Sequence, residues 1–461
     1  MKTPPLYIQK IKLENIKTFA EGVELQLTRA DGTLPQWTLI LGDNGIGKST
    51  LLQFIAWMKP AYDGVSLTRS APLINDEENA VLEHLVHRSL DKKQTAYVRA
   101  VFIANQQLNK KLGKSLSSCE TKITIGLNSE GKLEVVDPKL QAEKDSVFNR
   151  EEVAIYAYSA SRQLGKLNLN NPKLEDSIPS FIQEKTELYD AEEILHKLNY
   201  AALGASSAKE KSKYNSFIDR VKSMLVTLLP DFETIKDIEI TPPKVLSHDT
   251  AGGVVVNTRH GKKIPFSDFS LGYKTVTAWT IDLAWRLFNQ HHTAMANPLL
   301  ASGIVLIDEL DLHLHPVWQQ KIMASLSQHF PNIQFIATAH SPLMVQAAAD
   351  ANHAILKFEE GRVQIINEPA GVDGWRVDQI LTSEFFGLKS SRGPEYDALQ
   401  ARRTALANQG KRTKKEEEEL RRVTAQLAEL PTGETPEEIE NRKLISELAQ
   451  RIKNNQVKIE L

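Results

Sequence analysis

The sequence predicts an α/β architecture: a mixed and parallel sheet with flanking helices, carrying a helical insertion and a C-terminal helical region. Three observations carry that prediction. The dense apolar run Trp37 to Leu41 passes through a glycine-rich turn into an apolar-periodic segment with Leu51, Leu52, Phe54, Ile55 and Met58, which reads as strand, loop and helix. The all-apolar run Gly303 to Ile307 suits a strand covered on both faces, and helix Val317 to Phe330 with strand Ile333 to Thr338 continues the alternation of a doubly wound core. Between them, Phe181 to Leu229 switches to a 3.6-residue period, with Tyr214, Phe217, Val221, Leu225 and Leu228 on one face and Pro230 ending it.

The remaining elements follow in order. Ile8, Ile11 and Leu13 lie among Lys and Gln, and Val23, Leu25 and Leu27 alternate with Glu24 and Gln26, so two half-buried strands joined by Asn15 to Gly22 open the chain. Tyr97 to Ile103, Lys122 to Leu127 and Val153 to Tyr158 read as further strands. β-type sequence returns at Ile235 to Ile240 and Gly253 to Val256. A helix from Leu271 to Phe288 then points Val276, Trp279, Leu283 and Leu287 inward. After the turn-rich Pro369 to Gly374 the character becomes charged helix, with Glu417–Arg421 and Glu418–Arg422 at i,i+4 spacing. Thr435-Pro436-Glu437-Glu438 has the form of a helix start with proline at its first position. The expected organisation is a core over 1–368, the helical insertion over 181–229 within it, and a C-terminal helical region over 369–461 for partner or oligomer contact.

Composition agrees with this picture. The chain has 461 residues, 41% hydrophobic and 25% charged, and Lys+Arg 56 against Asp+Glu 58 leaves a net charge of −2. Disordered, collagenous and strongly basic classes are excluded. At roughly 100 to 200 residues per domain the length allows a core that needs no staples. The single cysteine, Cys119, removes any disulfide framework and points to a reducing, cytoplasmic setting. No stretch reaches the roughly 18 apolar residues of a membrane span, and Met1 to Pro5 lacks the apolar core of a signal peptide, so no membrane partner is expected.

Chemistry concentrates in a few places. Gly42-Asp43-Asn44-Gly45-Ile46-Gly47-Lys48-Ser49 fits G-x-x-x-x-G-K-[ST] between a strand and a helix. Glycines let the backbone wrap phosphate oxygens, Lys48 reaches the β and γ phosphates, and the Ser49 hydroxyl ligates Mg2+. Ile304 to Glu309 ends a buried strand in two carboxylates: Asp308 is placed to hold Mg2+, and Glu309 to orient or deprotonate an attacking water. Phe269-Ser270-Leu271-Gly272-Tyr273-Lys274 opens a helix with a hydroxyl, a glycine and a free N-terminus suited to a second anion. One compact monomer cannot fill both anion sites, so a head-to-tail dimer is expected. Thr338-Ala339-His340-Ser341-Pro342 brings an imidazole to the carboxyl edge of the sheet near Glu309.

Taken together, Gly42 to Thr50, Ser270 to Lys274, Ile304 to Glu309 and Thr338 to Pro342 resemble the ABC class of ATPases. The resemblance covers Ile8 to Val345 and is nearer to recombination and chromosome-organising heads than to transporter subunits. It implies an ABC-type ATPase head. Leu13 to Phe19 matches that group's start and places Lys17 near the nucleotide. Asp308 to Pro316, Thr338 to Pro342 and Tyr156-Ala157-Tyr158-Ser159-Ala160-Ser161-Arg162 look like ATPases of the overcoming-lysogenization-defect type and their relatives in bacterial anti-phage systems, with Septu-type ATPase subunits the nearest.

This resemblance implies ATP and Mg2+ as ligands. It assigns Gly42, Asn44, Gly45, Gly47, Lys48, Ser49, Thr50 and Lys17 to ATP, and Glu309 and His340 to catalysis. Ser270, Gly272 and Lys274 act in trans as the signature, although Leu271 stands where many relatives carry a small or acidic residue. A Mg2+-binding glutamine is expected beside Ser49 and Asp308; Gln163 is chosen, with Gln106 and Gln107 as the other candidates. His313-x-His315 offers too few ligands for zinc and is read as dimer contact or capping. The 341–461 stretch contains no Glu followed by an Asp-x-Asp and no H-N-H-like arrangement for nuclease chemistry. The expected function is an ATPase that senses for, or regulates, a separately encoded effector nuclease in anti-phage defence. A stand-alone DNA-repair or recombination-mediator ATPase that binds DNA ends or gaps is the alternative, and a nucleotide-binding scaffold a third reading.

Overall fold

The structure is a computed structural model, and it describes residues 6–19, 22–29, 31–62, 67–69, 95–104, 118–127, 133–135, 140–142, 154–167, 187–229, 231–241, 253–258, 263–367, 369 and 371–429. Two sheets dominate. The central one runs, edge to edge, Ile155–Tyr158, Gly303–Ile307, Ile333–Thr338, Trp37–Gly42, Asn352–Glu359 and Arg362–Asn367. The first five strands are mutually parallel and only the last, a hairpin partner, is antiparallel. The second sheet is antiparallel: Val23–Gln26, Leu6–Glu14, Ala96–Ala104, Ser118–Leu127 and Leu133–Val135, with Leu140–Ala142 also paired to Ser118–Leu127.

Strand periodicity divides the interior. Successive side chains point to opposite faces, so a strand apolar throughout must be covered twice. Ile40, Ile155, Ala157, Ile304, Leu306 and Ile336 enter one core with the antiparallel sheet and the helix Lys48–Trp57, through Leu51, Leu52, Phe54 and Ile55. Leu39, Leu41, Tyr156, Tyr158, Val305, Ile307, Phe335 and Ala337 enter the other, against helices Ala191–Leu203, Ala208–Leu228, Leu271–His291 and Ile322–His329. The mixed α/β class read from the sequence is therefore the observed one.

The helical insertion is helical over only part of its predicted range. Glu187–Tyr189 is a strand paired in parallel with Gln163–Leu167, and Leu188 and Tyr189 are buried. Residues 181–186 lie outside the described residues, and the helix that follows the strand is capped by Asp190, accepting from Glu192 N and Glu193 N; Ser207 caps the next helix in the same way. The predicted helix 317–330 is split as well. His315 caps Pro316–Gln319 through its ring, and the chain restarts as Ile322–His329.

Helix Leu271–His291 is buried along most of its length and carries an ion pair inside the core. Arg286 Nε donates to Asp282 Oδ2 at 2.7 Å, the Tyr158 hydroxyl donates to the same oxygen at 2.9 Å, and Tyr189 N donates to Asp282 Oδ1 at 3.2 Å. The guanidinium also lies 5.0 Å from the centre of the Tyr189 ring. With each oxygen satisfied, burial of the carboxylate is compensated.

The chain divides into two compact units, Met1–Gly387 and Leu388–Leu461. The change of character at Pro369 lies inside the first unit, because Val372, Ile380 and Phe385 are buried in its core and Gln346 Nε2 donates to Trp375 O at 2.9 Å. In the second, helices Pro394–Ala407 and Lys414–Glu429 are bridged by Arg402 and Glu419 at 2.9 and 2.8 Å. Thr435 to Glu438 lies outside the described residues. Among the described residues no helix is long and apolar enough to cross a membrane.

His353, on the strand Asn352–Glu359, packs edge-on against Phe385 and is 8% exposed. Burial pulls its imidazole from 6.5 down to about 4. Between those values the unfolded chain binds a proton that the folded chain refuses, so stability is complete above pH 6.5 and falls as pH drops towards 4. The loss amounts to on the order of 3 kcal/mol. Denaturant unfolding at pH 7.5 and pH 4.5 is expected to show this slope in the wild type, and His353→Gln is expected to remove that part of it.

Candidate nucleotide site

Strand Trp37–Gly42 delivers the phosphate loop and helix Lys48–Trp57 leaves it. Gly42 has φ 139° and Gly47 φ 111°, which L side chains rarely adopt. Space excludes them too: a Cβ would stand 2.5 Å from Leu356 O at Gly42 and 2.7 Å from Thr18 Oγ1 at Gly47. No side chain caps this helix and no acidic residue occupies its first turn, so its leading N–H groups and the positive end of its dipole face outward. Lys48 Nζ donates to Gly42 O at 2.7 Å and Asp43 O at 2.8 Å, bracing the loop against itself. Burial lowers the Lys48 pKa, and Asp308, Glu309, Asp43 and Asp311 push it the other way.

The turn at 15–19 clamps the same loop. Thr18 Oγ1 donates to Ile46 O at 3.1 Å, and Lys17, at φ 44°, sends Nζ to 3.4 Å from Thr50 Oγ1. Burial depresses the Lys17 ammonium. Asn44, Gly45 and Ser49 are exposed while Thr50 is buried.

The carboxylates arrive from the neighbouring strands. Parallel register sets Ile307 beside Tyr158 on one side and Ala337 on the other, so Asp308 and Glu309 emerge between the segments 159–162 and 338–341. Thr338 Oγ1 donates to Asp308 Oδ1 at 2.6 Å and accepts from Glu309 N at 2.7 Å. Glu309 sits at φ 49°, a left-handed conformation that costs a residue with a Cβ about 1–3 kcal/mol and persists only when its surroundings enforce it. Its carbonyl accepts from Arg162 Nη2 at 2.9 Å. Arg162 Nε and Nη1 are buried without a hydrogen-bond partner, and so is Asp311 Oδ1. Desolvation lowers the Arg162 pKa to about 10 against the opposing pull of Asp308, Glu309 and Asp311.

His340 N donates to Asp311 Oδ2 at 3.0 Å, which ties the imidazole-bearing loop to the segment after the carboxylates. Ser270 caps helix Leu271–His291 through Tyr273 N at 3.5 Å and remains exposed, and Lys274 lies half-buried one turn on. Gly272 is required by space: a Cβ there would stand 2.3 Å from His313 O, so the start of this helix lies directly on the loop that follows Glu309. His315 Nδ1 accepts from Val317 N at 3.4 Å, a capping role.

Thus the structure gathers Gly42–Thr50, Lys17, Asp308, Glu309 and His340 around the carboxyl ends of adjacent strands and stacks Gly272 on the loop beyond them. Gln163 lies in a strand whose side chains are outside the described residues, and Gln106 and Gln107 are themselves outside them. Arg162, Thr338 and Asp311 were absent from the site expected from sequence. The quoted motifs contain all three, but only strand register shows that they meet.

The donor set fits a nucleoside triphosphate with a divalent cation. An uncapped helix end, a glycine cradle and Lys48 offer positive potential to phosphate, and Asp308 and Ser49 supply hard oxygen donors of the kind Mg2+ takes. Fold and site together define a phosphate-loop α/β nucleotide-binding protein. A family model described as "AAA domain, putative AbiEii toxin, Type IV TA system" matches residues 38–345, more than half the chain, and the chain belongs to that family.

The chain is similar to the Septu protein PtuA of Bacillus mycoides (strain KBAB4), 27% identical over 431 residues that cover 92% of this chain and 50% of that protein. It is similar also to the Retron Vc95 probable ATPase of Vibrio cholerae serotype O1 biovar El Tor, 30% identical over 226 residues covering 46% and 40%. The Retron Ec83 probable ATPase of Escherichia coli is 29% identical over 239 residues covering 52% and 41%. The resemblance expected from the motifs is met, and the chain spans about half the length of the curated relatives it matches.

Lys48→Ala removes the cation that braces the phosphate loop. ATP affinity in a calorimetric titration is expected to fall by about two orders of magnitude, comparable with loss of a charge-assisted contact of 2–3 kcal/mol.

Proposed function

We propose that this chain hydrolyses ATP to ADP and phosphate in a head-to-tail dimer, and that it serves as sensor or regulator of a separately encoded effector nuclease in anti-phage defence. One observation carries the hydrolytic reading: the phosphate loop, with its uncapped helix end and Lys48, and the pair Asp308–Glu309 leave the carboxyl ends of two parallel strands separated only by Ile333–Thr338, and both carboxylates act on the Lys48 ammonium. The defence role rests on similarity to the Septu and retron proteins, together with the resemblance of the motifs to ATPases of bacterial anti-phage systems.

In this reading the loop amides and Lys48 hold the β and γ phosphates, and Lys17 and Thr50 support the same end. Ser49 and Asp308, with Gln163, hold Mg2+, which supplies charge neutralisation on the phosphate oxygens. Glu309 accepts the proton of the attacking water, and His340 faces the terminal phosphate from the next strand. Ser270, Gly272 and Lys274 of one subunit complete the site of the other. The second unit, from Leu388, provides the surface for the effector or for higher-order assembly.

Glu309→Gln keeps shape and loses the base. It is expected to bind ATP normally while steady-state turnover falls by about a hundredfold or more. Wild-type turnover in that variant would remove Glu309 from its role. Mixing Lys48→Ala with Ser270→Arg subunits is expected to restore part of the activity lost in each alone, because one composite site retains both intact halves. Heterodimers that form without any regain of turnover would refute the shared site. Truncation after Gly410 is expected to leave ATP binding intact and to lose the copurifying effector or the larger assembly, read by size-exclusion chromatography with light scattering.

A further inference from the structure

We infer that Arg162 is a positioning residue for hydrolysis, holding Glu309 in the backbone conformation from which its carboxylate reaches the attacking water. The inference rests on the hydrolytic role proposed for Glu309 and deepens it.

Glu309 is a non-glycine residue at φ 49°, so something must enforce its geometry. Two contacts grip it from opposite sides. Thr338 Oγ1 takes its N–H at 2.7 Å, and Arg162 Nη2 donates to its carbonyl at 2.9 Å. Thr338 is in turn fixed by Asp308 at 2.6 Å. Arg162 is delivered by the strand Ile155–Tyr158, which is hydrogen-bonded beside Gly303–Ile307 and anchored by the Tyr158 hydroxyl on Asp282 of helix Leu271–His291. Ser270 caps that helix, so one continuous set of contacts runs from the signature segment to the carbonyl of Glu309.

Stability alone does not account for Arg162. A buried guanidinium with Nε and Nη1 unpartnered is a desolvation cost that an apolar side chain of similar size avoids. Its cation stands among Asp308, Glu309 and Asp311, so the same group that holds the Glu309 carbonyl also offsets their mutual repulsion. Removing it frees Glu309 to leave the left-handed region while leaving Lys48 and the phosphate loop intact.

A double-mutant cycle on the full chain tests this. Arg162→Gln is expected to lower kcat by about tenfold or more, with KM and calorimetric affinity for ATP within about threefold of wild type. Arg162→Met, which also removes the buried charge, is expected to behave alike and decides the matter if the Gln variant does not fold. Arg162→Lys, retaining a cation and an N–H donor, is expected to recover turnover to within about fivefold of wild type. In the Glu309→Gln background the Arg162 substitutions are expected to change the residual rate by less than about twofold, because the group they position is already gone. Equal losses in both backgrounds, or affinity falling in step with kcat, would overturn the inference. Wild-type turnover in the Arg162 variants overturns it alone, whereas wild-type turnover in Glu309→Gln overturns the hydrolytic reading with it.

Discussion

Parallel register in the central sheet is the constraint on which the rest depends. Each of the strands Ile155–Tyr158, Gly303–Ile307, Ile333–Thr338 and Trp37–Gly42 ends at the same edge, and each hands on a segment carrying chemistry: 159–162, Asp308–Asp311, Thr338–Ser341 and Gly42–Ser49. A crevice outside the carboxyl ends of parallel strands is where open α/β sheets bind ligands, because the loops converge there and the next helix presents its N-terminus. The register holds because both faces are buried. A slip of one residue moves Ile304 and Leu306 into the core that takes Val305 and Ile307, and the reverse.

A second constraint runs through the helical side. Helix Leu271–His291 is fixed lengthwise at two points: near its start, where Gly272 meets His313 O too closely for any side chain, and in its middle, where Asp282 gathers Arg286, Tyr158 and Tyr189. Buried ion pairs contribute little net stability compared with apolar packing, but breaking one leaves an uncompensated charge. Rotation or sliding of this helix breaks both points together. The segment that opens at Ser270 and the strand edge that carries Asp308 and Glu309 are therefore held together within the unit Met1–Gly387.

Much of the site was legible because its signals are dense and local. The phosphate loop needs glycines, Lys and Ser at fixed spacing between a strand and a helix, and the structure supplies the reason at Gly42 and Gly47, where backbone and Thr18 occupy the space of a Cβ. The doubly covered strands were legible from their unbroken apolar runs. Glu187–Tyr189 was not, since three residues beside a helix carry too little period to separate strand from helix, and pairing with Gln163–Leu167 decided the matter. Nor was the extent of the first unit, because Ile380 and Phe385 look like isolated apolar residues until the core they enter is known.

By itself the sequence determined the chemistry available: a phosphate-binding loop, two carboxylates ending a buried strand, a helix opening on a hydroxyl and a glycine, and an imidazole on the following turn. These depend on residues within a few positions of one another, where backbone geometry follows from local sterics and hydrogen bonding. Only the tertiary structure decided which of these groups meet. Arg162 reaches the carbonyl of Glu309 across 147 residues, and Thr338 reaches Asp308 across 30, through strand neighbours that no local pattern specifies. Burial then changes what those groups are: two guanidinium nitrogens of Arg162 lie without a hydrogen-bond partner, and desolvation lowers its pKa against the pull of Asp308, Glu309 and Asp311.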